Sequence, residues 1–295
     1  MTLERKRVVV AYIFLAVPLL FFIGVRLFPM LYAMLMSVTN WGLSAGNLRF
    51  VGIENYKTIF QDTVFLKALT NTLRYAFIGA PAVIVLSLFF SLQLNRITKG
   101  KGIFRLIYVL PYITPIVAVS WVWRWMFQQP PVGLINALLY RLGLPARGFL
   151  GDPSMALYSI VSVNVWVDLG YCIIIFLAGL QNIPVEFLEA AKIDGASNRI
   201  TLTRIILPLL LPITLFLTVM QGISFMRIFT QVYNMSYQAT GGPLNSTMSA
   251  ALYIYRTAFF HFQMGLAASA SMILFLMILT ITFVQIKFFD QKLSY

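Results

Sequence analysis

The run VVVAYIFLAVPLLFFIGVRLFPMLYAMLMSV, Val8 to Val38, decides the class of this protein. Its 31 residues carry one charge, Arg26. A helix of about 20 apolar residues already crosses a bilayer. The preceding MTLERKR has the basic character of a signal-peptide start. The apolar run is nevertheless too long for an h-region and has no A-x-A cleavage pattern, so it reads as an uncleaved first span. The rest of the chain has the same character. Of 295 residues, 60% are hydrophobic and 11% charged, with a mean hydropathy of +0.84. Soluble domains run nearer 45–50% apolar and about 25% charged, which excludes a water-soluble enzyme.

Five further apolar runs follow, at 67–95, 103–128, 155–181, 201–232 and 263–289. Polar, Gly- and Pro-containing stretches separate them at 39–66, 96–102, 129–154, 182–200 and 233–262. The expected fold is therefore all-α, a polytopic membrane protein of six transmembrane helices forming one domain, 1–295. The net charge is +13. In a membrane protein such an excess belongs first in cytoplasmic loops, and it gives no reason to expect nucleic acid. With the N-terminus inside, the inner segments hold Arg5, Lys6, Arg7, Arg96, Lys99, Lys101, Arg105, Lys192, Arg199, Arg204, Lys287 and Lys292. The outer segments hold half as many: Arg49, Lys57, Lys67, Arg141, Arg147 and Arg256. That bias places both termini in the cytoplasm.

Trp121, Trp123, Trp125 and Phe127 crowd the outer end of the third run, where an interfacial belt of indoles or a ligand-stacking surface would both place them. The outer segment 129–154, with Pro130, Pro131, NALLYRLGL and GDPS, reads as a short surface helix between turns. One cysteine, Cys172, and one histidine, His261, exclude a disulfide framework and a Cys/His metal site. The chain has no G-x-x-x-x-G-K-[ST], no G-x-S-x-G and no H-E-x-x-H, so it carries no P-loop for ATP and no recognisable catalytic motif.

Between the fourth and fifth runs lies IPVEFLEAAKIDGASNRITLTRIILPLLLP, Ile183 to Pro212. Pro184 suits a first helical turn. Glu186 and Glu189 sit toward the positive helix end, and Ala190 and Ala191 favour helix. Phe187, Leu188 and Ala191 form an apolar stripe. Gly195 suits a left-handed stop. The expectation is a short amphipathic helix, a sharp turn and a second helix entering the membrane. Its apolar face fits either a groove on another protein or a lipid surface.

Glu189-Ala190-Ala191, Asp194-Gly195-Ala196, Ile205, Pro208 and Pro212 resemble the EAA loop of ABC-importer permeases. Phe50-Val51-Gly52-Ile53-Glu54-Asn55-Tyr56, then Phe65, Ala68, Leu69, Asn71 and Thr72, resemble the sugar-type subfamily, first-permease type. Leu110-Pro111-Tyr112 and Thr240-Gly241-Gly242-Pro243 agree with it. The likeness covers roughly 8–290, without the large extra periplasmic domain of the maltose version. The resemblance implies that the loop at about 183–212 forms a coupling helix docking on an ATPase subunit through Glu186, Glu189, Ala190, Ala191, Asp194, Gly195 and Ala196. It also implies a second permease subunit, two ATP-binding subunits that hold ATP and Mg, an external solute-binding protein, and alternating access in a bacterial inner membrane.

A solute site is expected where polar groups interrupt the fourth and fifth runs. Asn164, Asp168 and Tyr171 are spaced i, i+4, i+7, and Ser224, Arg227 and Gln231 are spaced i, i+3, i+7. Each set falls on one face of a continuous helix. Polar groups at membrane depth face protein or water. Resemblance to the maltose-type permease adds Val167, Ile228 and Tyr112, while Asp168 and Arg227 are charges where that type has neutral residues. An Asp168–Arg227 or Asp168–Arg124 ion pair is the structural alternative to solute binding. The solute class implied is a sugar, sugar-polyol or osmolyte glycoside, with a glycerol-phosphate type as the alternative. A polytopic membrane enzyme is disfavoured, since the outer loops offer scattered Glu54, Asp62 and Asp152. So is an ion-coupled transporter, since Asp168 is the one mid-span carboxylate.

Overall fold

The computed structural model describes residues 3–42, 48–97, 100–130 and 132–293. Pro131 of the outer segment and Lys99 of the inner one lie outside them. The first run begins as α1 (Leu3–Phe22), passes through a π-turn at Ile23–Leu27 and ends as α2 (Phe28–Met36). Pro29 follows the π-turn and has no amide to donate, which favours a local change of helical pitch. Asn55 at the start of α3 (Glu54–Gln61) then ties off the end of the first span. Its Nδ2 donates to Ser37 O at 2.9 Å and Thr39 O at 2.8 Å. The Tyr56 and Ser37 hydroxyls meet at 2.8 Å. Part of the segment that carries the subfamily likeness thus satisfies carbonyls that a helix end leaves without partners.

The second run is one helix, α4 (Thr63–Arg96). The third is not. It forms α5 (Lys101–Ile113) and α6 (Ile116–Met126), inclined at 94°. Thr114 between them is extended, with φ −75° and ψ 136°. The ring of Pro115 disfavours helical geometry in the residue before it, so a stretch that hydropathy reads as one span is broken there. α7 (Leu134–Arg141) is the expected surface helix, and α8 (Ala156–Gln181) is the fourth span. α9 (Val185–Ile193) and α10 (Asn198–Thr201) carry the loop between the fourth and fifth runs.

The fifth run is divided as well. A π-turn at Leu202–Ile206 leads to α11 (Leu207–Leu209) and α12 (Leu211–Met226), with a 66° bend at Leu210. Pro212 cannot return a hydrogen bond to Pro208, which loosens the ladder at that point. α12 ends at Met226, and α13 (Thr230–Met235) follows. The segment 233–262 contains a helix that the sequence did not announce, α14 (Ala250–Phe259), before α15 (Met264–Leu293) completes the last span. Four spans are straight enough to count singly, and the two bent pairs bring the number to six.

The contacts fall into two units, Met1–Asp62 with Ile254–Ile273, and Thr63–Tyr253 with Leu274–Tyr295. In the first, Ser269 Oγ donates to Ser37 O at 2.8 Å and Gly265 N to Trp41 O at 2.7 Å. In the second, α4 and α8 make the largest helix pairing. α4 presents Ala68, Thr72, Ala76, Ala80, Ser87 and Ser91 as buried residues. Small side chains of this kind let helices approach closely in a membrane. Leu94, Ile173 and Leu177 form a buried cluster against Phe90, Tyr108 and Leu169. α5 crosses α8 at Gly170, where an added Cβ would stand 2.1 Å from Tyr108 O. Trp123 packs edge-on to Trp166 at 5.4 Å, while Trp121 and Trp125 are exposed. Trp123 is thus half-buried between helices, while Trp121 and Trp125 lie on the surface.

Candidate functional site

α8 carries four of the expected solute-site residues, and the structure links two of them to the fifth run. Asn164 Nδ2 donates to Asp168 Oδ2 at 3.2 Å, and Gln231 Nε2 donates to Asn164 Oδ1. Gln231, Asn164 and Asp168 form one hydrogen-bonded line across α13 and α8. One turn further along α8, Tyr171 stacks on Tyr112 of α5, with centroids 5.2 Å apart and planes at 21°. Tyr112 is 45% exposed, so the aromatic pair has an open edge. Val167 and Ile228 are buried at 5% and 3% exposure.

Ser224, Arg227 and Gln231 do not share one continuous helix. Arg227 caps α12 with φ −98° and ψ 12°, and Phe229 breaks the path with φ −132° and ψ −60°. The i, i+3, i+7 spacing assumed a straight span and fails at this break. Ser224 and Arg227 lie exposed at the end of α12, while Gln231 starts again on α13 and turns to Asn164. Arg124 has its own partners, donating to Asn234 O at 3.0 Å and lying 4.9 Å from the Trp121 ring centroid. Asp168 is held by Asn164.

Sequence reasoning missed Gln221. It is 4% exposed, and its Nε2 donates to Cys172 Sγ at 3.2 Å, joining α12 to α8 next to the site. Its Oε1 has no hydrogen-bond partner among the described residues. A carboxamide three residues before Ser224 in an apolar run was the available sign.

The loop between the fourth and fifth runs is built by local rules. Pro184 precedes α9 in an extended conformation, with φ −57° and ψ 133°, and Val185 opens the helix. At its other end Ala196 N donates to Ala191 O at 2.8 Å and Gly195 N to Lys192 O at 3.1 Å. These are the two bonds of a Schellman motif. Gly195 has φ +73°, and its Cβ position is open space, so conformation rather than crowding demands glycine. Ser197 Oγ then accepts from Ile200 N at 3.4 Å. Of the expected stripe, Ala191 is buried, Leu188 half-buried and Phe187 exposed. Val185 and Ile193 are exposed with Phe187. Glu186, Glu189, Ala190, Asp194 and Gly195 are exposed and Ala196 half-buried.

At the opposite end of the second unit, residues of the family-like segments explain one another. Asn71 Nδ2 donates to Asn245 O at 3.0 Å and Met248 O at 3.1 Å, and Thr72 Oγ1 accepts from Ala250 N at 2.9 Å. Gly241 and Gly242 both take positive φ, and Thr247 N donates to Gly241 O at 2.8 Å. α4 therefore fixes the turn that precedes α14.

The family described as "binding-protein-dependent transport system inner membrane component" matches residues 83–295. The chain is 35% identical over 286 residues to the probable ABC transporter permease protein YesP of Bacillus subtilis, covering 96% of this chain and 91% of that one. It is 33% identical over 289 residues to the lactose transport system permease protein LacF of Rhizobium radiobacter, covering 96% and 95%. The fold matches a chain from the crystal structure of a bacterial ABC transporter involved in import of the acidic polysaccharide alginate. The TM-score is 0.84 at 23% identity, with 98% of this chain and 97% of that chain covered.

Proposed function

Since the chain belongs to the binding-protein-dependent transport system inner membrane components, we propose that it forms half of the translocation pathway of an ATP-driven importer for a sugar, sugar-polyol or osmolyte glycoside. The observation that carries this reading is the Gln231–Asn164–Asp168 line beside the Tyr112–Tyr171 stack. Amides and a carboxylate offer both donors and acceptors to hydroxyls, and stacked phenol rings offer apolar faces to sugar C–H groups. A relative named for lactose transport and another named for multiple sugars support the same solute class.

The second half of the pathway is a partner permease, and the solute arrives on an extracytoplasmic binding protein. ATP and Mg belong to two ATPase subunits, so this chain hydrolyses nothing and holds no cofactor. α9 is the coupling element. Its exposed Val185, Phe187 and Ile193 supply apolar anchors for a groove on an ATPase subunit. α8 begins the same inner loop, and from Gln181 to Asp168 is about 20 Å of rigid helix. A displacement of α9 would therefore reach the polar line through α8, opening and closing the site alternately to the two sides.

In a reconstituted complex, Asp168→Asn and Gln231→Ala should each weaken solute-stimulated uptake by roughly 10- to 150-fold, the worth of a hydrogen bond to a charged group at the upper end. Assembly with the partner subunits should be unchanged. Loss of assembly in Asp168→Asn, with normal uptake in Gln231→Ala, would make the line a packing device instead. Orientation is tested by impermeant thiol reagents. Cysteines at Gly151 and Leu244 should react from outside, and cysteines at Gly100 and Ser197 should not. The native Cys172 is buried and gives little background.

A further inference from the structure

We propose that a cavity of about 310 Å³ at the end of α8 remote from α9 binds a phosphate-type oxyanion. Lys67, Asn71 and Arg74 form one wall. They are spaced i, i+4, i+7 and lie on one face of α4. Ser154 and Tyr158, at the start of α8, form the facing wall, and Ser246 contributes a third side. Among the described residues, no Asp or Glu lines the cavity.

The hydrogen bonds already made leave donors, not acceptors, in surplus. Asn71 spends its amide on Asn245 O and Met248 O. Lys67 Nζ gives one proton to Leu244 O at 2.7 Å and keeps two. The Arg74 guanidinium has no hydrogen-bond or ion-pair partner among the described residues. Ser246 is 8% exposed, and its Oγ is buried without a partner. The nearest carboxylate in sequence, Asp152, is turned onto the Ser154 amide and hydroxyl, each at 2.7 Å.

Arg74 lies eleven residues into α4, about 17 Å from its first residue. Its side chain is exposed at the surface of the chain, and a cation within an apolar run favours a counter-charge beside it. Here two cations and a buried hydroxyl come together, with no anion among the described lining residues. A phosphate group answers that arrangement. It accepts several charge-assisted bonds at once and matches the fork of a guanidinium. The same group is presented by an anionic phospholipid headgroup and by a soluble phosphate ester.

The test uses the assembled transporter, purified as wild type, Arg74→Gln, Arg74→Lys and Ser246→Ala. Retained phosphatidylglycerol is measured by native mass spectrometry. Inorganic phosphate and glycerol phosphate are titrated against chloride at equal ionic strength, with thermal stability as the readout. Arg74→Gln should lower occupancy by about 10-fold or more, and Ser246→Ala by about 5-fold, following charged and neutral hydrogen bonds respectively. Arg74→Lys should restore part of the loss. An effect on retained lipid alone identifies the headgroup as the source, and an effect on the titrations alone identifies the soluble ester. Equal lipid retention and equal titrations in all four proteins would overturn the proposal. So would loss of the second permease from the Arg74→Gln complex, which would show that a partner carboxylate neutralises these cations.

Discussion

α8 and α9 are separated by Asn182, Ile183 and Pro184, yet different forces hold them in place. α8 packs on α4 and α5 along its length, burying Ile160, Ile173, Phe176 and Leu177 almost completely. α9 buries Ala191, half-buries Leu188 and exposes Val185, Phe187 and Ile193. Pro184 starts it, and the Gly195 turn stops it. The first helix is specified by tertiary neighbours, the second by its own caps. Damage to α8 should therefore unfold the protein, whereas damage to α9 should leave a folded protein that no longer couples.

The largest effect separating the two is expected at Gly170. Valine there would drive a branched side chain into the α5 backbone, where even a Cβ meets Tyr108 O at 2.1 Å. Overpacking of this kind costs about 3 kcal/mol or more. Little folded complex should survive in thermal-unfolding or size-exclusion measurements. A normally stable Gly170→Val complex would show that α8 is not held by close packing on α5.

Gly195→Val should act the other way. Positive φ costs a non-glycine residue about 1–2 kcal/mol, confined to the loop. The complex should assemble and melt close to wild type, and solute-stimulated uptake should be abolished. Gly195→Asn, which tolerates the left-handed region, should restore much of it. Wild-type uptake by Gly195→Val would break the comparison, since α9 would then have no positional role.

The smallest effect is expected at Ser197. Its bond to Ile200 N is long at 3.4 Å, so alanine should cost about 0.5 kcal/mol, the low end for an N-cap. Uptake should stay within about twofold of wild type, a change of under 0.5 kcal/mol. A larger loss would mean that α10, and not the Gly195 turn alone, sets the approach of α9.

The same contrast explains what could be read from the chain before folding. The α9 loop was legible because its rules are local: Pro184, the acidic first turn and Gly195 each act within a few residues. The ends of α4, α8 and α15 fall within a few residues of the apolar runs that foretold them. The polar residues of α8, Asn164 and Asp168, were also legible, because polar groups in a bilayer segment stand out. The fifth run was misread. The stripe from Ser224 to Gln231 assumed one helix, whereas the turn at Arg227 to Phe229 depends on contacts such as Ser249 Oγ to Ile228 O at 2.7 Å, from a residue twenty-one positions away. Gln221 stayed hidden because its partner, Cys172, lies in another span.

What the sequence determined by itself is the solvent and the punctuation. Apolar runs of this length require a bilayer, because so much apolar surface is unfavourable in water and matches the thickness of the hydrocarbon core, and prolines and glycines fix where helices can start, bend or stop. Only the tertiary structure decided which bends occur and which polar groups meet. Pro111 lies inside an intact α5 while Thr114–Pro115 opens to 94°. Gln231 reaches Asn164 because α13 restarts after the break. The physical reason is range. A missing amide or a left-handed turn acts within one helical turn, whereas a hydrogen bond between spans exists only after packing has brought residues dozens of positions apart to within about 3 Å.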